Sequence, residues 1–111
     1  MSVIKKLYGP AALSSTYTTD IYVPASALVY DIVRHIHIVN KTAAAVTFRI
    51  FLGATTGNVA GTELFYDHSI AAYSEYDYYC ALKLTSTTFL VGGASAATSL
   101  SITIEGESIV V

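Results

Sequence analysis

Two histidines stand two residues apart in the apolar run Val33–Asn40, VRHIHIVN. On an extended strand residues i and i+2 point to the same side, so His35 and His37 can reach one point in space. A pair of imidazoles so placed can begin a zinc site. Such a site still needs a third ligand and an orienting outer partner, and the neighbours Asp67 and His68 are the readiest supply. The preferred expectation is plainer: the pair lines the polar face of a half-buried strand and hydrogen-bonds across to Thr, Tyr or carboxylate groups. No metal ligand and no cofactor is expected. Because imidazole titrates near neutrality, a pH-dependent contact at a subunit interface is a third reading.

Nucleophilic catalysis would need a hydroxyl or thiol beside a base that is itself held by a third group. The chain has many hydroxyls but no Gly-x-Ser-x-Gly elbow. Cys80, the single cysteine, lies in YYCAL in step with Tyr76, Tyr78, Leu82 and Leu84. It reads as a small core-side hydrophobe. Asp67, Glu75 and Asp77 show no diagnostic carboxylate spacing and read as solvated surface. The glycines of GATTGNVAG fit neither the dinucleotide fingerprint nor the phosphate loop, and the segment reads as a mobile loop between strands. No catalytic residue is expected, and the chain is read as a non-enzyme.

The elements that must position these groups are strands. Apolar residues recur at every second position. In LSITIEG, Leu100, Ile102 and Ile104 point one way and Ser101, Thr103 and Glu105 the other. VTFRIFLG places Val46, Phe48, Ile50 and Leu52 on one face, leaving Phe51 for a buried second face or an interface. VRHIHIVN divides into Val33, His35, His37 and Val39 against Ile32, Arg34, Ile36 and Ile38 if the alternation is unbroken. With SVIKKLY, TTDIYVP, TELFYDHSI, YDYYCALKL and TFLVGG, about seven or eight strands are predicted, separated by turns such as NKTAAA, AAYSE and GGASAAT. That spacing predicts one antiparallel β-sandwich over residues 1–111, jelly-roll or immunoglobulin-like.

At 111 residues there is material for one core. Charged residues make up only 13% and hydrophobic ones 53%, against about 25% charged in soluble chains generally. Part of that apolar surface is expected to meet protein. A net charge of −2 gives no basic face for phosphate, so nucleic-acid binding is not expected. No run approaches the roughly 20 apolar residues of a membrane span, and MSVIKKLYGPAAL is too weakly apolar for a secretory signal. Synthesis in a cytoplasm is expected.

Tyrosine is the prominent composition signal: nine in all, with Tyr66, Tyr73, Tyr76, Tyr78 and Tyr79 inside one short stretch. A rigid ring with a polar tip suits protein interfaces and sugar platforms alike. Tyr66, Tyr73, Tyr76 and Tyr79 are candidate interface residues. So are Ile109, Val110 and Val111 of the apolar C-terminal ESIVV, which is expected to pair as a last strand.

The order LYGPAAL, TDIYVPASA, DIVRHIHIVNKTAAAVTFRIFLG, GTELFYDHSIAAYSEYDYY and FLVGGASAATSLSITIEGE resembles, from Leu7 to Glu107, the small virion structural proteins of tailed bacteriophages. The resemblance implies a non-enzymatic sandwich subunit present in many copies on the virion. Its partners would be other virion proteins of capsid, neck or tail, and copies of itself. Capsid decoration is the favoured role, with a neck, collar or tail-fibre adaptor as its alternative. A carbohydrate- or receptor-binding module using Tyr76 and Tyr79 is the runner-up from another class, and a metalloenzyme built on His35, His37 and His68 the third.

Overall fold

Eight strands form: β1 (Lys5–Ala12), β2 (Asp20–Tyr22), β3 (Val29–Asn40), β4 (Val46–Gly53), β5 (Glu63–Ile70), β6 (Glu75–Leu84), β7 (Phe89–Ala94) and β8 (Leu100–Val110). The structure, a computed structural model, describes residues 4–54 and 60–110. Most of the loop expected over GATTGNVAG lies outside the described residues, as does Val111.

β1 pairs with β8, β2 with β7, β3 with β6 and β4 with β5, all antiparallel. These are the rungs of one long hairpin folded over on itself. Pairing of β3 with β8 and of β4 with β7 then closes two four-stranded sheets, β1-β8-β3-β6 (sheet I) and β2-β7-β4-β5 (sheet II). This connectivity is that of a jelly roll. An immunoglobulin-like sandwich would instead put the first strand beside the second.

Alternation builds the core as expected in β8, whose Leu100, Ile102 and Ile104 are fully buried. They join Ile36 and Ile38 of β3, Phe48 and Ile50 of β4, Leu84 of β6 and Leu90 of β7 in one cluster. Each such side chain contributes about 1.5–3 kcal/mol by leaving water. Phe51 is buried as well, apart from that cluster. Of its two expected roles the buried one holds: its register partner on β7, Val91, is also fully buried and also outside that cluster.

The unbroken alternation expected along β3 does not hold. Val33 and Ile36, three residues apart, are both fully buried, because pairing slips between Val33 and His35 on both sides of the strand. Between the same two rungs β8 uses two steps (Gly106 to Ile104), β3 three (Val33 to Ile36) and β6 four (Leu82 to Tyr78). The sheet fans open there. Val33 therefore turns inward with Ile36 and Ile38, leaving the two histidines outside. Gly106 sits at the narrow side of the fan, where a Cβ would collide with the carbonyl oxygen of Ile32.

Both ends of β3 are pinned by buried polar side chains. At one end the Asp31 carboxylate accepts hydrogen bonds from Tyr22 Oη of sheet II at 2.5 Å and Ser108 Oγ of sheet I at 2.7 Å. At the other, Asn40 Nδ2 donates to the carbonyls of Ala44, Ile70 and Ala71 at 2.9, 3.0 and 3.2 Å. Asn40 Oδ1 accepts from the Thr42 amide and hydroxyl at 2.9 and 2.7 Å.

Candidate functional site

The outer face of sheet I carries the densest group of titratable side chains. Register dictates its membership: His37 stands opposite Asp77 on β6 and Thr103 on β8, while His35 stands opposite Tyr79 and Glu105. His35 Nε2 lies 2.7 Å from Asp77 Oδ1, and His37 Nδ1 lies 2.6 Å from that same oxygen. The second ring nitrogen of His35, Nδ1, is 3.0 Å from Glu105 Oε1. The Tyr79 ring stacks on His35 at 4.4 Å between centroids and 4° between planes. One rung further along, Arg34 pairs with Glu107 at 2.8 Å.

A neutral imidazole donates from one nitrogen only, whereas both nitrogens of His35 face carboxylates. Partial burial pulls its pKa down, but the hydrogen bonds and charges of Glu105 and Asp77 outweigh that and leave it raised. Hydrogen bonds from His37 and then His35 hold Asp77 below the usual carboxylate range. The site is thus a carboxylate gripped by two rings, one of them gripped again from behind by Glu105.

His68, offered by the sequence as one supply of a third ligand, is elsewhere. Asp67 has a positive φ of 52° and pairing slips between Phe48 and Ile50, so Phe65 and His68 both pack against Phe48, at 5.2 and 5.3 Å. Tyr76 lies 4.3 Å from the His68 ring and Tyr78 lies 4.9 Å from Phe65. The tyrosine-rich stretch therefore divides. Tyr76, read from sequence as an interface or platform residue, is turned inward and half-buried against the core; Tyr66, Tyr73 and Tyr79 are exposed. The strand alternation that puts Tyr79 outside puts Tyr76 in. Ile109 is half-buried and Val110 exposed.

A second cluster occupies the outer face of sheet II. Asp67, also offered as a ligand beside His68, instead accepts from Arg49 Nε at 2.7 Å and from its Nη2 at 3.1 Å. That guanidinium lies between the rings of Tyr17 and Tyr66, at 4.4 and 4.0 Å. The hydrogen bonds from Arg49 lower the pKa of Asp67. Cys80 takes the core-side place expected of it: its thiol donates to the Val33 carbonyl at 3.3 Å, and burial raises its pKa.

Asp77 and Glu105, 42 and 70 positions from His35, complete the site. Asp77 had been read as solvated surface and Glu105 as the outer face of its strand. A cross-strand register was the missing signal, and it is not a local property of either segment. No protein-family model matches the chain, and no curated protein sequence matches it.

Proposed function

We propose that this chain is a non-enzymatic structural subunit of a tailed-phage virion, acting as a decoration subunit that binds a capsid lattice in many copies. The observation that carries the reading is an exposed apolar end of sheet I. Leu28 and Val110 are 65% and 77% exposed, and Leu28 immediately precedes Val29, which stands opposite Val110 in the register. Ile4, 54% exposed, precedes Lys5, which pairs with Gly106 on the other side of β8. Large aliphatic side chains in water at one end of a domain mark a surface suited to another protein. Jelly rolls serve in viral capsids, and this fold is compatible with such a role.

Binding would be cementing by mass action. Each copy removes its apolar end from water, at about 25 cal/mol per Å² buried, and repetition over the lattice supplies the total. A neck or tail adaptor would use the same end against a different ring of partners.

The test is the light-scattering mass of the purified chain, alone and mixed with the virion structural proteins encoded beside it. Stable self-association or saturable capture onto those proteins is expected, lost in Leu28→Asp and Val110→Asp. A chain that stays monomeric and indifferent to them overturns the reading. A positive glycan array would then favour a carbohydrate-binding module, with Tyr66 beside Arg49 as its platform in place of Tyr76.

A further inference from the structure

We propose that His35 Nε2, His37 Nδ1 and Asp77 Oδ1 form a binding site for a divalent transition metal of the zinc class, with Glu105 as the partner that orients His35. The sequence offers only Asp67 and His68 as the ready supply of a third ligand, with nothing to bring them to the pair. The fold supplies a different one.

Three observations carry the proposal. The donor atoms converge: all three lie within 4.8 Å of one another, and one carboxylate oxygen is the common neighbour of both ring nitrogens. The donors are also held by the sheet rather than by loops. His37 and Asp77 are register partners, and His35 stands two positions along on the same face. Lastly, His35 carries the support a metal-binding imidazole ordinarily has. Its other nitrogen faces the Glu105 carboxylate at 3.0 Å, the carboxylate–histidine–metal arrangement that fixes tautomer and ring direction, while Tyr79 stacked on its face fixes the ring plane.

Two imidazole nitrogens with one carboxylate oxygen suit zinc and its neighbours better than calcium or magnesium, which favour all-oxygen shells. Ligand distances of about 2.0–2.2 Å place tetrahedral ligand atoms roughly 3.3 Å apart. The present nitrogen–oxygen separations are 2.7 and 2.6 Å and the ligand atoms all lie within 4.8 Å of one another, so to admit the ion Asp77 must withdraw by a fraction of an ångström and the two rings must adjust toward each other. Its side chain is 38% exposed and has room on the solvent side. An ion at the site would fasten the edge strand β6 to β3, and through Glu105 to β8.

The test uses the tag-free full chain. Zinc binding is measured by equilibrium dialysis at micromolar free metal, and cobalt substitution is followed by its visible absorption. One equivalent of zinc is expected, with a tetrahedral-type cobalt spectrum and a melting temperature that rises with metal concentration, since an ion bound only by the folded state stabilises it. His37→Gln should abolish both signals, and Glu105→Gln should weaken binding about 10–100-fold while leaving the ligands in place. His68→Gln, which removes the histidine outside the cluster, should change neither. Absence of zinc binding by the folded wild type overturns the site. So does equal binding by wild type and His37→Gln, or loss caused only by His68→Gln.

Discussion

The two ends of β3 solve the same problem with opposite chemistry. Asn40 is neutral, and its amide is spent almost wholly on backbone: three carbonyls accept from it, and the Thr42 amide and hydroxyl donate to it. Asp31 is a carboxylate whose two partners are hydroxyls, one from each sheet. The amide knots the turn after β3 to the chain between β5 and β6, and nothing in that knot changes with pH. The carboxylate couples sheet to sheet, and one of its partners is the Tyr22 phenol, whose pKa burial and Asp31 raise. Burying an amide therefore fixes geometry, whereas a buried carboxylate that holds a phenol also links the fold to proton activity through that phenol.

Asn40→Ala should be the most damaging substitution, because it leaves buried carbonyls short of a donor at several places at once; a loss of about 3 kcal/mol in urea unfolding is expected. A change below a few tenths would mean that water replaces the amide and that the knot is not structural. Asp31→Ala follows, at about 2 kcal/mol, since the Tyr22 and Ser108 hydroxyls lose their common acceptor. Asp31→Asn sharpens the contrast: it keeps an acceptor of the same shape and removes the charge, so it should cost less than Asp31→Ala.

Tyr22→Phe removes one hydroxyl from the carboxylate and should cost about 1.5 kcal/mol near neutrality. Its pH dependence carries the comparison further. Burial first, and then the hydrogen bond and charge of Asp31, raise the Tyr22 pKa above its ordinary value. A group raised in the folded state stabilises fully below its unfolded pKa, about 10 for tyrosine, and loses that contribution as pH climbs toward the folded value. Wild-type stability should thus fall faster above that point than the stability of Tyr22→Phe. Parallel urea midpoints across the alkaline range would break the link between the Tyr22 hydroxyl and stability.

The smallest effect belongs to Asp67, a carboxylate with a cation beside it in water. Arg49 lowers its pKa, so its contribution is present above the ordinary carboxylate range and disappears as pH falls through the lowered value. Asp67→Asn should lower the melting temperature slightly at neutral pH, less so in high salt, and not at all in strong acid. An effect as large as that of Asp31→Asn would show that the Tyr17 and Tyr66 rings have removed the pair from water more fully than its exposure indicates.

Legibility in the sequence followed locality. LSITIEG could be read directly because each residue needs only its neighbours to choose a side, and β8 is built as that reading expects. The choice between jelly roll and immunoglobulin-like order could not, since it depends on which distant strands meet. The bulge at Arg34 left no mark in composition, and it reversed the sidedness of Val33 against the histidines. For the candidate site, the pairing of His35 with His37 was legible from spacing. Asp77 and Glu105 were not, because they arrive from other strands. A signal did exist for Asp31: it is the lone acid in the apolar run LVYDIV, in step with Val33. An acid on the inward side of such a strand must find partners.

The wrapped connectivity also has a consequence for how the molecule comes into being. β8 is the last strand in the chain and lies between β1 and β3 in sheet I. Until residues 100–110 leave the ribosome, β1 has no neighbour and β3 has only β6. Sheet I therefore cannot be completed before β8 is available, and the inward faces of β1 and β3 must wait for it in the unfolded chain. Long-range pairing of this kind is intrinsically slow and exposes aggregation-prone strands while it proceeds. The chain reaches its native state only when residues 100–110 slot into the middle of the sheet.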